Sequence, residues 1–196
     1  MFFCPHREVI FAYRVMYNTG SVFSDPKKVI GELTIQPGFE VADLGAGSGH
    51  YAQALAKAVG DKGKVYAIDV QKELLDRIKN EARREKIHNI EVLRGDTEVL
   101  GGTHLADASV QIAVAANVLF QCADKAGLAR EAFRILKPNG RMLVVDWKDS
   151  YGGTGPIAGH VVTASVALPI FESAGFIKER DITAGEHHWG IILKKV

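Results

Sequence analysis

Cysteine is scarce in this chain of 196 residues, which has only Cys4 and Cys122. Two cysteines cannot build the disulfide framework of a small secreted domain, so we expect a reducing compartment. Long apolar runs are also missing: the N-terminal apolar residues are interrupted at once by Pro5 and His6, which is too short for a secretory signal. No segment approaches the roughly 20 apolar residues that span a bilayer. The sequence therefore predicts a cytoplasmic protein.

Charge of one sign is not in excess either. The chain has 24 Lys and Arg against 23 Asp and Glu, a formal net charge of +1. Such a balance gives no global attraction to nucleic acid or to anionic membranes. The basic run at residues 83–86 alternates with acidic residues on a predicted surface helix, which is typical of solvated i,i+4 pairs. The composition thus disfavours a nucleic-acid partner.

Strand-like and helix-like segments alternate along most of the chain, which predicts an α/β fold with a mostly parallel sheet. The length fits a single domain, residues 1–196. The predicted strands are residues 40–44, 64–70, 90–94, 110–115, 141–147, 176–183 and 187–194, the last two forming an antiparallel hairpin. The predicted helices are residues 51–59, 72–86, 125–136 and 163–174, with two more in the N-terminal segment at residues 8–17 and from Asp25-Pro26. Proline and Asn-Gly at residues 137–140 are expected to end the third main helix in a sharp turn.

A glycine-rich turn joins the first strand to the following helix. Gly45, Gly47 and Gly49 allow a tight turn and a close approach to a bound molecule, and the helix N-terminus adds free N–H groups. The dinucleotide fingerprint G-x-G-x-x-G is not met, because His50 occupies the position of its third glycine. Asp43, before the glycines, would repel a pyrophosphate but accepts hydrogen bonds from an ammonium group.

The D-x-G-x-G-x-G pattern from Asp43 to Gly49 resembles the first motif of the class I S-adenosylmethionine-dependent methyltransferases, and the resemblance covers about residues 30–196. It implies a Rossmann-like fold of seven strands, in which five βα units are closed by the antiparallel hairpin and helices cover both faces. It also implies S-adenosylmethionine as cofactor, bound by a core at residues 31–196 under a helical lid at residues 1–30. Because this lid is short, it is either incomplete or shared with a partner chain, for example in a homodimer.

Polar residues end four of the predicted parallel strands. They are Asp43, Asp69, Asp96 and Asn117. Ligands of open α/β sheets bind beyond such strand ends, where the strand order reverses. The resemblance implies that Asp69 accepts the ribose hydroxyls and Asp96 the adenine amino group. Local alternatives stay open: Asp69 and Asn117 also suit helix caps, and Gly95-Asp96 also suits a simple turn.

The expected cofactor-binding residues lie in the glycine-rich turn, where His50 is expected to abut the cofactor, and at the ends of the second to fourth strands. They are Asp43, Gly45, Ala46, Gly47, Gly49, His50, Asp69, Val70, Gly95, Asp96, Thr97, Ala115 and Asn117. Small residues at the end of the fourth strand leave room for the reacting methyl group. No metal site is predicted, since Asn117 is the only polar partner for the acidic residues after the fifth strand.

Three histidines are weak candidates for a general base, because imidazole titrates near neutral pH. His160 lies in the loop after the fifth strand, and His187 and His188 begin the last strand, where alternation sends their side chains to opposite faces. Each also fits a structural or surface role. Since methyl transfer by in-line displacement depends mostly on orientation and exclusion of water, no catalytic residue is assigned.

The nature of the acceptor follows from similarity alone. The segment at residues 131–140 and the pair Gly95-Asp96 are most similar to the methyltransferases of quinone biosynthesis, which implies a small-molecule acceptor. Two cysteines are too few for arsenite-type methylation, and the fourth strand ends without the proline motif of DNA amino-methyltransferases.

Two other function classes stay open. A nicotinamide-dependent oxidoreductase would share the glycine-rich turn and Asp69. A non-catalytic subunit with a methyltransferase-like fold would hold a partner protein or RNA, with an apolar patch as its signature. That patch would comprise Phe2, Phe3, Phe11 and Tyr13.

Overall fold

The computed structural model describes residues 24–151, 153 and 155–196. Cys4, the expected helix at residues 8–17, most of the expected lid and the four aromatic residues of the apolar patch lie outside these residues. The strands are β1 (Glu40–Leu44), β2 (Lys64–Asp69), β3 (Ile90–Arg94), β4 (Val110–Ala116), β5 (Leu136–Trp147), β6 (Phe176–Thr183) and β7 (His188–Lys195). The helices are α1 (Pro26–Gly31), α2 (His50–Val59), α3 (Lys72–Arg84), α4 (Lys125–Ile135) and α5 (Ala164–Ser173), with short 3-10 turns at Leu119–Gln121 and Ala158–His160.

The seven strands form one sheet in the order β3-β2-β1-β4-β5-β7-β6. Strands β1 to β5 are parallel, and β7 is inserted antiparallel between β5 and β6. This is the expected Rossmann-like sheet with a C-terminal hairpin. The chain runs outward from β1 to β3 and then returns to place β4 on the other side of β1. The order therefore reverses between β1 and β4, where α/β folds form a ligand crevice.

Two apolar layers cover the two faces of the sheet. Helices α4 and α5 pack on one face, with Leu128 and Phe171 fully buried. Helices α1, α2 and α3 pack on the other, with Leu55 and Ile78 fully buried. Alternation along β1 sends Leu44 to the first face and directs Asp43 toward α2. The strand thereby carries a carboxylate on the face where α2 begins.

Two connections differ from the expected ones. No helix follows β3, because residues 95–109 run through turns to β4, so the fold does not have five complete βα units. The turn expected at residues 137–140 is instead a bulge within β5, which starts directly after α4 at Leu136. The register passes from Val110 opposite Leu136 to Ile112 opposite Arg141, and Pro138 lies in the extra residues. A bulge tolerates proline, which has no N–H, because its extra residue is not required to donate to the ladder.

The start of α1 is as expected, since Asp25 accepts the Lys27 N–H at 3.0 Å and Pro26 is the first helical residue. Within the described part of the chain, none of the helices has the length and apolar character needed to cross a bilayer.

Candidate active site

A cavity of about 1290 Å³ lies at the carboxyl ends of the parallel strands, on both sides of the β1–β4 reversal. Its wall includes eleven of the thirteen residues expected to bind the cofactor. These are Asp43, Gly45, Ala46, Gly47, His50, Asp69, Val70, Gly95, Asp96, Thr97 and Asn117. The volume exceeds the roughly 300–1,000 Å³ of a typical site for one small ligand. The cavity is therefore large for a single small ligand.

The two remaining residues of the expected set do not line the cavity. Ala115 packs in the layer below α4 and α5, and the next residue, Ala116, lines the cavity instead. Gly49 has φ +82°, and a Cβ there would lie 2.7 Å from Cγ1 of Ile78. The packing of α2 against α3 therefore requires a glycine at this position.

Four backbone N–H groups of the glycine-rich turn donate hydrogen bonds within the protein. The N–H groups of Gly45 and Ala46 both donate to the Ile68 carbonyl at 2.9 Å, and the Gly49 N–H donates to the Ala46 carbonyl at 2.8 Å. The Gly47 N–H donates to Oδ2 of Asp69 at 3.0 Å. Phosphate-binding turns depend on such amides being free to face the ligand. Four amides of this turn are already engaged, so the turn is poorly suited to a pyrophosphate.

Asp43 is a buried carboxylate with an unsatisfied oxygen. It is 1% exposed, and its Oδ2 atom has no hydrogen-bond partner among the described residues. Burial and then the neighbouring charge of Asp69 raise the pKa of the Asp43 carboxyl to about 7, against a hydrogen bond from the Ala52 backbone that lowers it. A buried acceptor without a donor is costly, so this position favours a ligand that brings a donor or a positive charge.

The Asp69 carboxylate accepts two backbone N–H groups and borders the cavity. Its Oδ1 accepts the Gln71 N–H at 2.9 Å, ahead of α3, and its Oδ2 accepts the Gly47 N–H. The residue is 7% exposed and lines the cavity. A carboxylate oxygen accepts more than one hydrogen bond, so each oxygen retains capacity for a ligand hydroxyl.

Asp96 lies exposed at the rim of the cavity, where Oδ1 accepts the Glu98 N–H at 2.9 Å in a local turn. The backbone at Gly95 is pressed against a later turn of the same β3–β4 connection, because a Cβ there would lie 2.3 Å from the Gly102 carbonyl oxygen. Glu131 holds that turn: its carboxylate accepts the N–H of Gly101 at 2.7 Å and of Thr103 at 3.1 Å. A buried glutamate on α4 thus fixes the loop that bears Asp96.

Asn117 adopts a left-handed conformation, with φ 58°, and its Oδ1 is buried without a partner among the described residues. It does not cap the following 3-10 turn. Asp146, on β5, does so instead: it is fully buried and its Oδ2 accepts the Leu119 N–H at 2.8 Å. Burial raises the pKa of this carboxyl to about 6, although backbone hydrogen bonds oppose the shift.

The three candidate histidines lie in different environments. His160 is exposed and His188 is 1% exposed, and both line the cavity. His187 lies outside the lining, where its Nδ1 pairs with the carboxylate of Asp149 at 2.9 Å and its ring stacks on Tyr151 with centroids 3.9 Å apart. The structure therefore separates the adjacent pair, as strand alternation predicts.

The sequence interpretation did not include several residues of the cavity wall. Trp147, Phe120 and Val162 line it near β5 and β7. Of these three, only Trp147 could have been found from the sequence, because it is the last residue of a predicted strand. Ser24 and Tyr51, which share a hydrogen bond of 2.5 Å, line the opposite end.

Comparison with known proteins identifies the family. The family model described as "Methyltransferase domain" matches residues 35–173. Among solved structures, a SAM dependent methyltransferase from Aquifex aeolicus superposes with a TM-score of 0.82 at 28% identity, with each chain covered at 100%. An arsenite methyltransferase of Aquipseudomonas alcaligenes is 35% identical over 113 residues, which are 56% of this chain and 33% of that protein. A demethylmenaquinone methyltransferase of Lactococcus lactis is 30% identical over 119 residues, which are 61% of this chain and 45% of that protein.

The match thus spans less than half the length of these two curated relatives. The family assignment depends instead on the matched domain, which covers most of the seven-stranded sheet, and on the full-length similarity to the Aquifex structure. The chain belongs to the class I S-adenosylmethionine-dependent methyltransferases.

Proposed function

We propose that the cavity binds S-adenosylmethionine and that the chain transfers its methyl group to a small-molecule acceptor. The observation that carries the proposal is Asp43, a buried carboxylate with an unpaired oxygen beside a turn whose amides are engaged. This arrangement disfavours a phosphate and favours a cation with N–H donors, which describes the amino acid end of S-adenosylmethionine. When bound, the cofactor supplies a methyl group on a sulfonium that leaves as a neutral thioether.

The chain's contribution is to bind and orient. Asp43 accepts hydrogen bonds from the ammonium group and ionises in doing so. Asp69 accepts the ribose hydroxyls through the capacity left on its two oxygens, while holding Gly47 in place. Asp96 and Thr97 face the adenine from the loop that Glu131 fixes. Gly45, Ala46, His50, Val70, Gly95 and Asn117 complete the cofactor contacts on the cavity wall.

The domain organisation and the assembly belong to the same proposal. Residues 31–196 form the core of one domain, supported by the continuous sheet from β1 to β7. The lid at residues 1–30 stays a prediction apart from α1, whose first residue lines the cavity. A homodimer that shares the lid also stays a prediction, and sedimentation velocity over a range of concentrations tests it.

The acceptor is proposed to be a small organic molecule and not a nucleic acid. Two basic residues on the outer surface of α3 are paired with acidic ones, Lys72 with Asp76 at 2.5 Å and Arg84 with Glu81, which lowers the attraction of this surface for a polyanion. The related proteins named above act on arsenite and on a quinone precursor. The quinone-type acceptor fits this chain better, because Cys122 is its sole described cysteine and burial raises the pKa of that thiol to about 12.

Calorimetric titration with S-adenosylmethionine, and with NADH in parallel, tests the cofactor assignment. We expect micromolar binding of S-adenosylmethionine and none of NADH. Asp43→Asn should weaken binding about tenfold or more, because the ammonium loses a charged acceptor. Asp76→Asn, on the exposed surface of α3, should leave it unchanged. Binding of NADH alone would favour the oxidoreductase, and binding of neither would favour the non-catalytic subunit.

A further inference from the structure

His188 is a buried residue of the cavity wall that the proposed cofactor contacts do not use. It begins β7, opposite Trp147 at the end of β5, and it is 1% exposed. Its imidazole packs against the indole of Trp147 with ring centroids 4.3 Å apart. One face of the imidazole is thus held by an aromatic ring, while the residue borders the cavity.

Neither ring nitrogen of His188 has a hydrogen-bond partner within residues 24–151, 153 and 155–196. Burying a polar group without a partner is costly, so native proteins rarely leave one without a reason. The neighbouring residue shows that partners are available in this region: Nε1 of Trp189 donates to the Val162 carbonyl at 2.8 Å. Because His188 borders the cavity, a ligand bound there can supply the partner that the described residues do not.

The imidazole is neutral at physiological pH. Burial and then the charges of His187 and Lys148 lower the pKa of His188 to about 4, although Asp149 opposes the shift. A neutral imidazole has one N–H donor and one acceptor nitrogen. A hydroxyl group can either donate to the bare nitrogen or accept from the N–H, whereas a carboxylate finds only a donor and an ammonium only an acceptor. The electrostatics thus select an uncharged polar group.

His188 lies far from the cofactor end of the cavity. Strands β4 and β5 separate β7 from β1, and at about 4.8 Å per strand the ends of β1 and β7 are about 14 Å apart. Asp43 lies near the end of β1, on one side of this distance, and His188 lies at the start of β7, on the other side. The end of the cavity at β5 and β7 is therefore the part left for a second molecule.

The surface around His188 is apolar and aromatic. Trp147, Phe120 and Val162 line this end, and the loop at Gly155 lies on the Trp147 indole, where a Cβ would come within 2.7 Å of the ring. We propose that His188 is the polar contact of the acceptor subsite, and that the acceptor is an apolar, ring-sized molecule that presents a hydroxyl group to this imidazole. The inference rests on the proposed function, since it assigns to the acceptor the space that the cofactor does not fill.

The test compares two probes of similar size, 2-naphthol and 2-methylnaphthalene. The first carries a hydroxyl group where the second carries a methyl group. Their affinities are measured by ligand-observed NMR, with and without S-adenosylhomocysteine, for the wild type, His188→Phe and His188→Asn. His187→Phe is the matched control, because that histidine lies outside the cavity wall. Long-range nitrogen–proton NMR of the His188 imidazole reports directly whether the hydroxyl contacts the ring.

We expect the wild type to prefer 2-naphthol by about tenfold, the ratio that one hydrogen bond to an otherwise unpaired group supplies. His188→Phe should abolish the preference while keeping affinity for 2-methylnaphthalene, and His187→Phe should leave it intact. His188→Asn, which keeps a donor and an acceptor, should retain part of it, and the imidazole resonances should shift with 2-naphthol alone.

An unchanged preference in His188→Phe would overturn the proposal, and so would failure of both probes to bind the wild type up to their solubility. Binding of S-adenosylhomocysteine checks that each variant is folded. If His188→Phe does not fold, His188→Asn and the imidazole shift decide the question. If the wild type binds 2-naphthol through His188 but not S-adenosylhomocysteine, the site stands and the methyl-transfer function fails.

Discussion

Asp69 and Gly47 are 22 residues apart in the chain and joined by a hydrogen bond of 3.0 Å from the Gly47 N–H to Oδ2 of the carboxylate. The bond ties the glycine-rich turn after β1 to the end of β2. The same carboxylate faces the cavity. One side chain therefore shapes the turn and, in the proposed function, binds the ribose.

Replacing Asp69 by Ala should weaken both functions at once. The Gly47 and Gln71 N–H groups lose their acceptor and the ribose loses its partner, so we expect S-adenosylmethionine affinity to fall by about 1–3 kcal/mol. Calorimetry measures the affinity, and urea unfolding measures the accompanying loss of stability. Asp76→Ala is the control, because its exposed ion pair should contribute less than about 1 kcal/mol. Unchanged affinity in Asp69→Ala would remove Asp69 from the cofactor site.

Cofactor affinity should depend on pH through Asp43. Burial and the charge of Asp69 raise the pKa of the free Asp43 carboxyl to about 7, and pairing with an ammonium requires the ionised form. Affinity should therefore rise up to about tenfold per pH unit below pH 7 and fall again above about pH 8, where a free α-amino group loses its proton. Calorimetry in buffers of different ionisation enthalpy also detects the released proton. Asp43→Asn should lack the rising limb; its persistence in this variant would assign it to another group.

Because of the buried Glu131, the free energy of unfolding should fall at acidic pH. Burial alone would raise the pKa of its carboxyl, but hydrogen bonds from Arg134, Thr103 and Gly101 lower it to about 2. Because the folded pKa lies below the ordinary value of 4.5, this stabilisation is complete above about pH 4.5 and is lost as the pH falls toward 2. Its size is on the order of 3 kcal/mol.

Glu131→Gln should remove that dependence. At neutral pH we expect it to lower the free energy of unfolding by about 3 kcal/mol, since the half-buried Arg134 loses its buried carboxylate partner. Asp107→Asn, which removes the exposed partner of the same arginine, should cost less than about 1 kcal/mol. Urea unfolding near neutral and acidic pH measures both. Equal losses in the two variants would contradict the assignment of the stabilisation to the buried pair.

Much of the fold could be predicted from the sequence, because its signals are local. Strands β1, β3 and β6 have the predicted bounds, and a glycine follows each of them within two residues. Parallel strands align their carboxyl ends, so the positions of Asp43, Asp69 and Asp96 near one cavity followed from their places at strand ends. The helix missing after β3 was an extrapolation from the family pattern.

Other features depend on contacts between distant segments. Ala115 and Ala116 are adjacent and identical in type, so the sequence does not indicate which of them borders the cavity. Asp146 caps a turn 27 residues earlier in the chain, a partnership without a sequence signature. His188 and His187 look alike in the sequence, and only the placement of Trp147 and Asp149 gives them different environments.

Substitution of Gly49 tests whether this glycine serves the packing against Ile78 or the approach of the backbone to the cofactor. Gly49→Ala should cost about 1–2 kcal/mol for a left-handed alanine and a further 1–3 kcal/mol for the overlap with Ile78. Gly101→Ala is the matched control: its φ of +81° is nearly the same, but nothing lies within 4 Å of the added Cβ, so only the first cost applies. Urea unfolding gives the difference, and calorimetry should show nearly unchanged cofactor affinity in folded Gly49→Ala, because this glycine does not line the cavity. Lost affinity with normal stability would instead mean that the backbone at Gly49 approaches the cofactor.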